Sequence, residues 1–282
     1  MQLACRDRLL DLTEPVVMGV LNVTPDSFSD GGRDVETSSA VERGLQMVEG
    51  GAGIVDVGGE STRPGAAPVD IREELKRVLP VIEQLAARLS VPVSVDTSKP
   101  EVMRAAVAAG ASLINDVRAL EAPGALAAAA ESRAAVCLMH MRGDPGTMQH
   151  DPRYRDVVDE VRRYLSARVE ACRGAGIGAG RICVDPGIGF GKLPEHNLAL
   201  LAALDRLADP AIPVLVGVSR KSLVGIITGR PAGQRLAGSI AFAALAAMRG
   251  AAIVRAHDVA ATVDAIKVAS ALRRAAREVE QA

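Results

Sequence analysis

The chain has no tryptophan, and its 282 residues include only three phenylalanines and two tyrosines. Any aromatic ring outside an apolar run therefore stands out. Charge of one sign is also lacking: 33 lysines and arginines face 34 aspartates and glutamates, a formal net charge of −1. This balance leaves no electrostatic footprint for nucleic acid or for an acidic membrane surface. No uncharged stretch reaches the ~18–20 residues of a membrane span. Arg6, Asp7 and Arg8 stand where a secretory signal would need its apolar segment. The four cysteines (Cys5, Cys137, Cys172 and Cys183) show no C-x-x-C spacing, and two lie inside apolar runs. They read as buried thiols of a reducing, cytoplasmic compartment. Phosphate-loop and dinucleotide glycine motifs are missing. His140, His150 and His196 lack the spacing of a zinc site, and His196 reads as a surface residue on a helix.

What is present is a repeating unit: a short Val/Ile-rich run, a polar or glycine-rich loop, then a helical stretch rich in Ala, Leu, Glu and Arg. The runs are Val16–Val23, Ile54–Val57, Val91–Val95, Leu113–Asn115, Ala135–Met139, Ile182–Val184, Val214–Val218 and Ile253–Arg255. Helical patterns fall near Ser38–Glu49, Ile71–Leu89, Pro100–Ala109, Pro123–Glu131, Tyr154–Arg173, Glu195–Ala208, Arg235–Arg249 and Ala260–Glu278. Continuous rather than alternating apolar runs suit parallel strands covered on both faces. Eight such units without a linker predict one α/β domain over residues 1–282, a single (β/α)8 TIM barrel. A doubly wound open sheet is the alternative. Gln2–Leu12 reads as an extra strand or hairpin ahead of the barrel. The loop from Asn22 to about Thr37 is expected to be mobile.

Barrel chemistry collects at the carboxyl ends of the strands. In chain order those ends carry Asn22, the Gly58–Arg63 stretch, Asp96, Asn115, His140, Asp185, the Ser219–Ser222 stretch, and Arg255 with His257. The densest of them is Asp185-Pro-Gly-Ile-Gly-Phe-Gly-Lys192, which holds three glycines and Phe190 just past a strand end. Such a loop is either a tight turn with a packed ring or a ring held over a flat ligand whose polar edge meets Asp185. Asp96, Asn115, Asp185 and Lys221 offer donors and acceptors suited to an amidine-like heterocycle edge and a carbonyl. The plainer reading is a buried Asp–Lys pair that only holds loops. Arg63, Arg255 and His257 could hold phosphate, although Arg255 and His257 singly could be surface charge. Asn22 could supply one oxygen to Mg2+. Ser219 lacks the setting of a nucleophile. Asp56, inside a strand, reads at most as part of a polar layer and takes no role.

Seven motifs, Asn22–Asp30 (NVTPDSFSD), Asp56–Gly65 (DVGGESTRPG), Ser94–Thr97 (SVDT), Asn115-Asp116, Asp185–Lys192 (DPGIGFGK), Gly217–Ser222 (GVSRKS) and Arg255–Asp258 (RAHD), resemble the dihydropteroate synthase family in order and spacing. The resemblance implies a transferase of folate biosynthesis. It would join the methyl diphosphate of a 7,8-dihydropterin to 4-aminobenzoate, giving 7,8-dihydropteroate and pyrophosphate. It gives the pterin to Asp96, Asn115, Asp185, Lys221, Arg255 and Phe190. Pyrophosphate goes to Asn22, Arg63, Arg255 and His257, with Mg2+ at Asn22. The 4-aminobenzoate slot, which sulfonamides occupy, goes to Phe28, Thr62, Pro64, Phe190, Lys221 and Ser222. It implies a homodimer and a dissociative mechanism in which pyrophosphate leaves before the amine attacks, with Asp96, Lys221, Arg63, Arg255 and His257 carrying the charge stabilisation. A pterin-dependent methyltransferase on the same barrel would share the Asp/Asn pocket but have no use for the loop motifs. A catalytically silent relative should show losses in the first two loops, and this chain shows none.

Overall fold

The computed structural model describes residues 1–23, 33–61, 68–144 and 146–281, with side chains excepted at 33–35, 277, 280 and 281. An antiparallel hairpin, β1 (Gln2–Cys5) and β2 (Arg8–Asp11), comes first, in the Gln2–Leu12 segment where the sequence predicts one. The strands β3 (Val16–Asn22), β4 (Ile54–Gly58), β5 (Val93–Asp96), β6 (Leu113–Asp116), β7 (Ala135–Met139), β8 (Ile182–Asp185), β9 (Leu215–Gly217) and β10 (Ile253–Ala256) follow. They form one parallel sheet in the order β8-β7-β6-β5-β4-β3-β10-β9. A parallel bridge from Val184 to Val214 joins its two ends. This is the (β/α)8 barrel, not an open sheet.

Each strand is followed by helix: α1 (Arg33–Glu49), α2 (Ile71–Arg88), α3 (Pro100–Ala108), α4 (Ala125–Glu131), α5 (Val157–Gly174), α6 (Pro194–Ala202), then α7 (Ser222–Thr228) and α8 (Leu236–Met248) after β9, and α9 (Val259–Gln281). Local chemistry sets several ends. Asp70 caps α2 by accepting from the Glu73 amide at 3.0 Å, and Asp156 caps α5 through the Asp159 amide at 3.0 Å. Helix α1 starts at Arg33, before the expected Ser38. The mobility expected of the Asn22–Thr37 loop concerns residues that lie largely outside the described ones. Helix α6 is shorter than expected, because the chain tightens into a 3-10 turn at Leu204–Arg206. Helix α7 is unannounced in sequence: Leu-Val-Gly-Ile-Ile-Thr is β-branched and reads as strand. It exists because Gly229, at φ 68°, closes it with a hydrogen bond to Gly225 O at 2.8 Å.

The alternation of strand side chains divides the core in two. Val55, Val57, Val95, Ile114, Val136 and Val184 pack outward with the helices. Met18, Ile54, Leu113, Cys137, Cys183, Leu215 and Ile253 form a second cluster with Leu3, Cys5 and Leu12. The hairpin thus plugs the barrel interior from the amino-terminal end of the strands. Along a strand such as β4 the same inward column then runs Ile54, Asp56, Gly58. Apolar matter fills the bottom, and polar side chains begin one residue pair higher. Truncating Leu3, fully buried in the plug, to Ala should cost about 3 kcal/mol, read as a lowered urea midpoint at unchanged slope. A midpoint shift equivalent to less than about 1 kcal/mol would mean that the hairpin is not part of the cooperative core.

Candidate active site

The upper ends of the inward columns meet around Arg255 on β10. Its Nε donates to Asp56 Oδ2 at 2.7 Å and its Nη2 to Asp96 Oδ2 at 2.8 Å. Asn115 Nδ2 donates to the same Asp56 oxygen at 3.0 Å. Strand register makes this meeting unavoidable: Gly58 pairs with Asp96, and Asp96 with Asn115. Asp56 is fully buried, and its other oxygen has no hydrogen-bond partner among the described residues. The sequence left this residue without a role, yet it orients both a guanidinium and an amide of the site. The available signal was its parity: Asp56 lies two residues before Gly58, on the interior face. A Cβ at Gly58 would sit 3.5 Å from Asp96 Cβ and 3.8 Å from Asn22 Oδ1. Glycine there keeps the gap between those two side chains open.

Electrostatics follow from burial. Desolvation raises Asp96 to about 7 against the pull of Arg255, and Asp56, Asp116 and Glu74 push it the same way as burial. Asp185 is likewise raised by burial, opposed by Lys221 and by the Gly187 N–H that its Oδ1 accepts at 2.7 Å. Lys221 is lowered by burial to about 8, with Asp185 opposing. Burial also pulls Arg255 down, but Asp56 and Asp96 more than offset it and hold it above its ordinary value. The site is therefore a dry set of carboxylates and cations with shifted proton affinities, as functional clefts tend to be.

Lys221 reaches this place through a strained turn. Arg220 is left-handed at φ 61°, worth about 1–2 kcal/mol of strain. Its guanidinium pairs two-pronged with Asp258, at 3.0 Å and 2.5 Å, which fixes the turn. The Lys221 ammonium donates to Ile188 O at 2.5 Å and sits 4.7 Å from the centre of the Phe190 ring. The plainer reading, a buried Asp–Lys pair, is not met by a direct contact: Asp185 and Lys221 act on each other as charges across the glycine loop. Ser222 opens α7 directly after Lys221. His257 lies at the end of β10, where its amide donates to Ser219 Oγ at 3.2 Å, and its Nδ1 is 3.1 Å from the same oxygen.

The glycine loop is fastened almost atom by atom. Gly189 N–H donates to Asn197 Oδ1 at 2.7 Å, Gly189 O accepts from Gln149 at 2.5 Å, and Gly191 O accepts from the Tyr154 hydroxyl at 2.9 Å. Phe190 N–H turns back to Gly187 O at 3.0 Å. Gly187 and Gly191 have φ of 67° and 63°. A Cβ on Gly187 would overlap the His140 carbonyl, and one on Gly191 the Arg142 carbonyl. Glycine is needed here for close approach as well as for φ. The reading of this loop as a tight turn with a packed ring is half right: the turn is tight, but the half-buried Phe190 ring meets Lys221 instead of the core. His140, closing β7, is buried behind the loop, and burial takes its imidazole down to about 3 with Lys192 reinforcing. It is neutral and faces away from acid–base work. His196 is half-buried against Tyr154 with ring centres 4.9 Å apart, and its Nδ1 accepts from the Leu193 amide at 3.2 Å, so it helps start α6.

Phe28, Thr62, Arg63 and Pro64 lie outside the described residues. The base of the second loop is nonetheless held: Glu60 Oε1 accepts from the Val69 amide at 2.9 Å, while Lys99 bridges Glu60 at 2.7 Å and the fully buried Glu74. Among the described residues no three His, Cys, Asp or Glu side chains are grouped to hold a metal ion. Asn22, at the end of β3 opposite Gly58, offers a single neutral oxygen.

Comparison with known proteins agrees with this geometry. Residues 18–257 match the sequence model of a family described as pterin binding enzyme. The dihydropteroate synthase of Escherichia coli (strain K12) is 52% identical over 271 residues, 96% of each chain. A structure of Xanthomonas albilineans dihydropteroate synthase with 4-aminobenzoic acid superposes with a TM-score of 0.91 at 55% identity, covering 96% of this chain and 98% of that one. The Burkholderia cenocepacia enzyme complexed with 7,8-dihydropteroate gives 0.89 at 51%, covering 98% of each. For this chain, Gly187→Ala should leave a folded barrel in circular dichroism yet lower turnover at least about 100-fold, as loss of a loop's productive geometry does. Near-normal turnover would show that the loop tolerates the overlap.

Proposed function

The chain belongs to the pterin-binding enzyme family, and we propose the division of labour by which its barrel mouth carries out that family's synthase reaction. The activity is that of a dihydropteroate synthase: (7,8-dihydropterin-6-yl)methyl diphosphate and 4-aminobenzoate give 7,8-dihydropteroate and pyrophosphate. The observation that carries the assignment of roles is the buried Asp56–Arg255–Asp96 chain with Asn115, Asp185 and Lys221 around it. A flat heterocycle with an amidine edge and a carbonyl would present complementary donors and acceptors to that set. Asp96, Asn115 and Asp185 take the ring's N–H groups, Lys221 its carbonyl, and Arg255 its face. Asn22, Arg63, Arg255 and His257 hold the diphosphate. Phe28, Thr62, Pro64, Phe190, Lys221 and Ser222 form the slot for 4-aminobenzoate, which sulfonamides would share.

The donor set fits a Mg2+ that arrives with the substrate. One amide oxygen and, among the described residues, no acidic cage suits an ion that keeps its waters and takes its other ligands from phosphate. When bound, its chemistry there is neutralisation of the leaving diphosphate. The protein's own share is preorganised charge. Among the described residues nothing in the mouth is arranged as a base on the amine or as a covalent nucleophile, and an arylamine nitrogen needs neither once the pterin methylene carbon is cationic. In this dissociative course the C–O bond to diphosphate breaks with both electrons going to oxygen. Asp96 faces the positive charge left on the pterin. The amine lone pair then forms the C–N bond, and its proton passes to solvent or to the departing pyrophosphate. Four buried free thiols support a reducing cytoplasmic setting, and no helix among the described residues is long and apolar enough to cross a membrane. A homodimer through α7, α8 and α9 is supported by their exposed Ile226, Leu245, Val268 and Leu272.

Pyrophosphate release tests the reading directly. With pterin diphosphate and Mg2+, the purified protein should form 7,8-dihydropteroate only when 4-aminobenzoate is added, and should release pyrophosphate slowly without it. Pterin binding with no pyrophosphate under either condition would mark a silent relative.

The shifted groups set a pH profile. Asp96 acts ionised, so kcat/KM for the pterin diphosphate rises as pH climbs through about 7. Lys221 acts protonated, so it falls above about 8. Asp96→Asn should abolish the acid limb and slow turnover by at least about 100-fold while weakening pterin binding less than about tenfold. Equal losses in turnover and binding would remove the electrostatic role of Asp96. Lys221→Arg should move the alkaline limb upward.

A further inference from the structure

One buried group in the glycine loop has no part in that chemistry. Lys192, 3% exposed, lies behind the loop instead of in the barrel mouth. Its Nζ is 3.0 Å from Gly187 O, 3.0 Å from Phe190 O, 3.3 Å from His140 O and 3.0 Å from His140 Nδ1. A protonated amine has three N–H donors and no acceptor, which suits surroundings made only of acceptors. The neutral His140 ring supplies one of them. Burial lowers the lysine to about 7, with Asp185 opposing and Lys221 and Arg142 adding to the fall.

The contacts are not spread evenly over the loop. Asp185 is already held by its place in β8, by the His140 amide donating to its carbonyl at 2.9 Å, and by Gly187 N–H on its carboxylate. Phe190 has less. Its N–H reaches Gly187 O, an atom that Lys192 also grips, and its own carbonyl is gripped by Lys192 as well. Both backbone anchors of Phe190 therefore pass through one amine. The Phe190 ring in turn stands beside the Lys221 ammonium. We propose that Lys192 is a positioning residue for the amine half of the reaction: it ties the Gly187 and Phe190 carbonyls into one body and so holds the Phe190 ring where 4-aminobenzoate must slide past it. This rests on the synthase reading above, and it reaches a residue that touches neither substrate.

A double-mutant cycle separates this role from general support of the fold. Lys192→Met should raise KM for 4-aminobenzoate about tenfold, with KM for the pterin diphosphate and kcat changed by less than about threefold. In a Phe190→Ala background the same substitution should change KM for the amine by less than about twofold, because the ring it positions is gone. Equal factors in the two backgrounds, or a loss shared by both substrates, would overturn the proposal and leave Lys192 as a fold-supporting lysine. Should Lys192→Met not accumulate folded, Lys192→Gln, whose amide retains two donors, is carried through the same cycle. It is expected to raise KM for the amine about threefold, with the same non-additivity deciding the matter. Wild-type protein that makes no dihydropteroate would sink the synthase reading instead, so the two failures are told apart.

Discussion

Everything at the carboxyl end of the barrel depends on Arg255 being shared by Asp56 and Asp96. A guanidinium taken out of water survives only with its hydrogen bonds met and its charge matched. Here two carboxylates from adjacent strands supply both at 2.7 and 2.8 Å. The arrangement leaves more negative than positive charge in the immediate cluster. Burial is the main reason that Asp96 is raised to about 7, and the carboxylates of Asp56, Asp116 and Glu74 add to it against the pull of Arg255. A ligand that brings positive charge against Asp96 relieves this tension, while a neutral one does not. On the dissociative course proposed above, this would favour the cationic pterin over its neutral precursor, which is differential binding in the sense that catalysis requires.

That cluster can be held rigid only because the barrel below it is full. The hairpin plug of Leu3, Cys5 and Leu12 closes the interior from beneath. The inward column of each strand therefore changes from apolar to polar within two residues, as in Ile54 followed by Asp56. Parallel register then carries the polar side chains of neighbouring strands to one height. The glycine loop completes the wall by packing so tightly on the loop after β7 that no Cβ fits at Gly187 or Gly191. Preorganisation here is a property of packing: the donors and acceptors cannot relax toward one another, because each is pinned from behind.

The sequence declared the barrel and most of its mouth for a plain reason. Parallel strands buried on both faces are continuous apolar runs, and the polar residue ending each run is conspicuous against them. Asp96, Asn115, Asp185, Lys221 and Arg255 were legible in that way. Asp56 was not, because it lies within its run and looks like an interruption of the strand. Only the two-residue parity with Gly58 betrays that it faces the same interior as Asp96. Helix α7 was hidden by its β-branched composition, and it forms through the tertiary setting of Lys221 and the left-handed stop at Gly229. Lys192 was visible as a letter in a motif, but its direction was not. Sequence spacing cannot say whether a lysine two residues past a phenylalanine points into a site or behind it.

Lys221 shows how such a site waits for its substrates. Its ammonium is lowered to about 8 by burial yet stays protonated at neutral pH, and it donates to Ile188 O at 2.5 Å. Among the described residues this is the one hydrogen bond of the ammonium. The Phe190 ring flanks the same nitrogen at 4.7 Å. The lysine is therefore bound on one side to the glycine loop and lies on another against an aromatic wall, with the charge of Asp185 nearby. A cation so placed also repels positive charge. On the dissociative course proposed above, a pterin methylene cation would be drawn toward Asp96 and away from Lys221, and the face beside Phe190 would be left to the incoming amine.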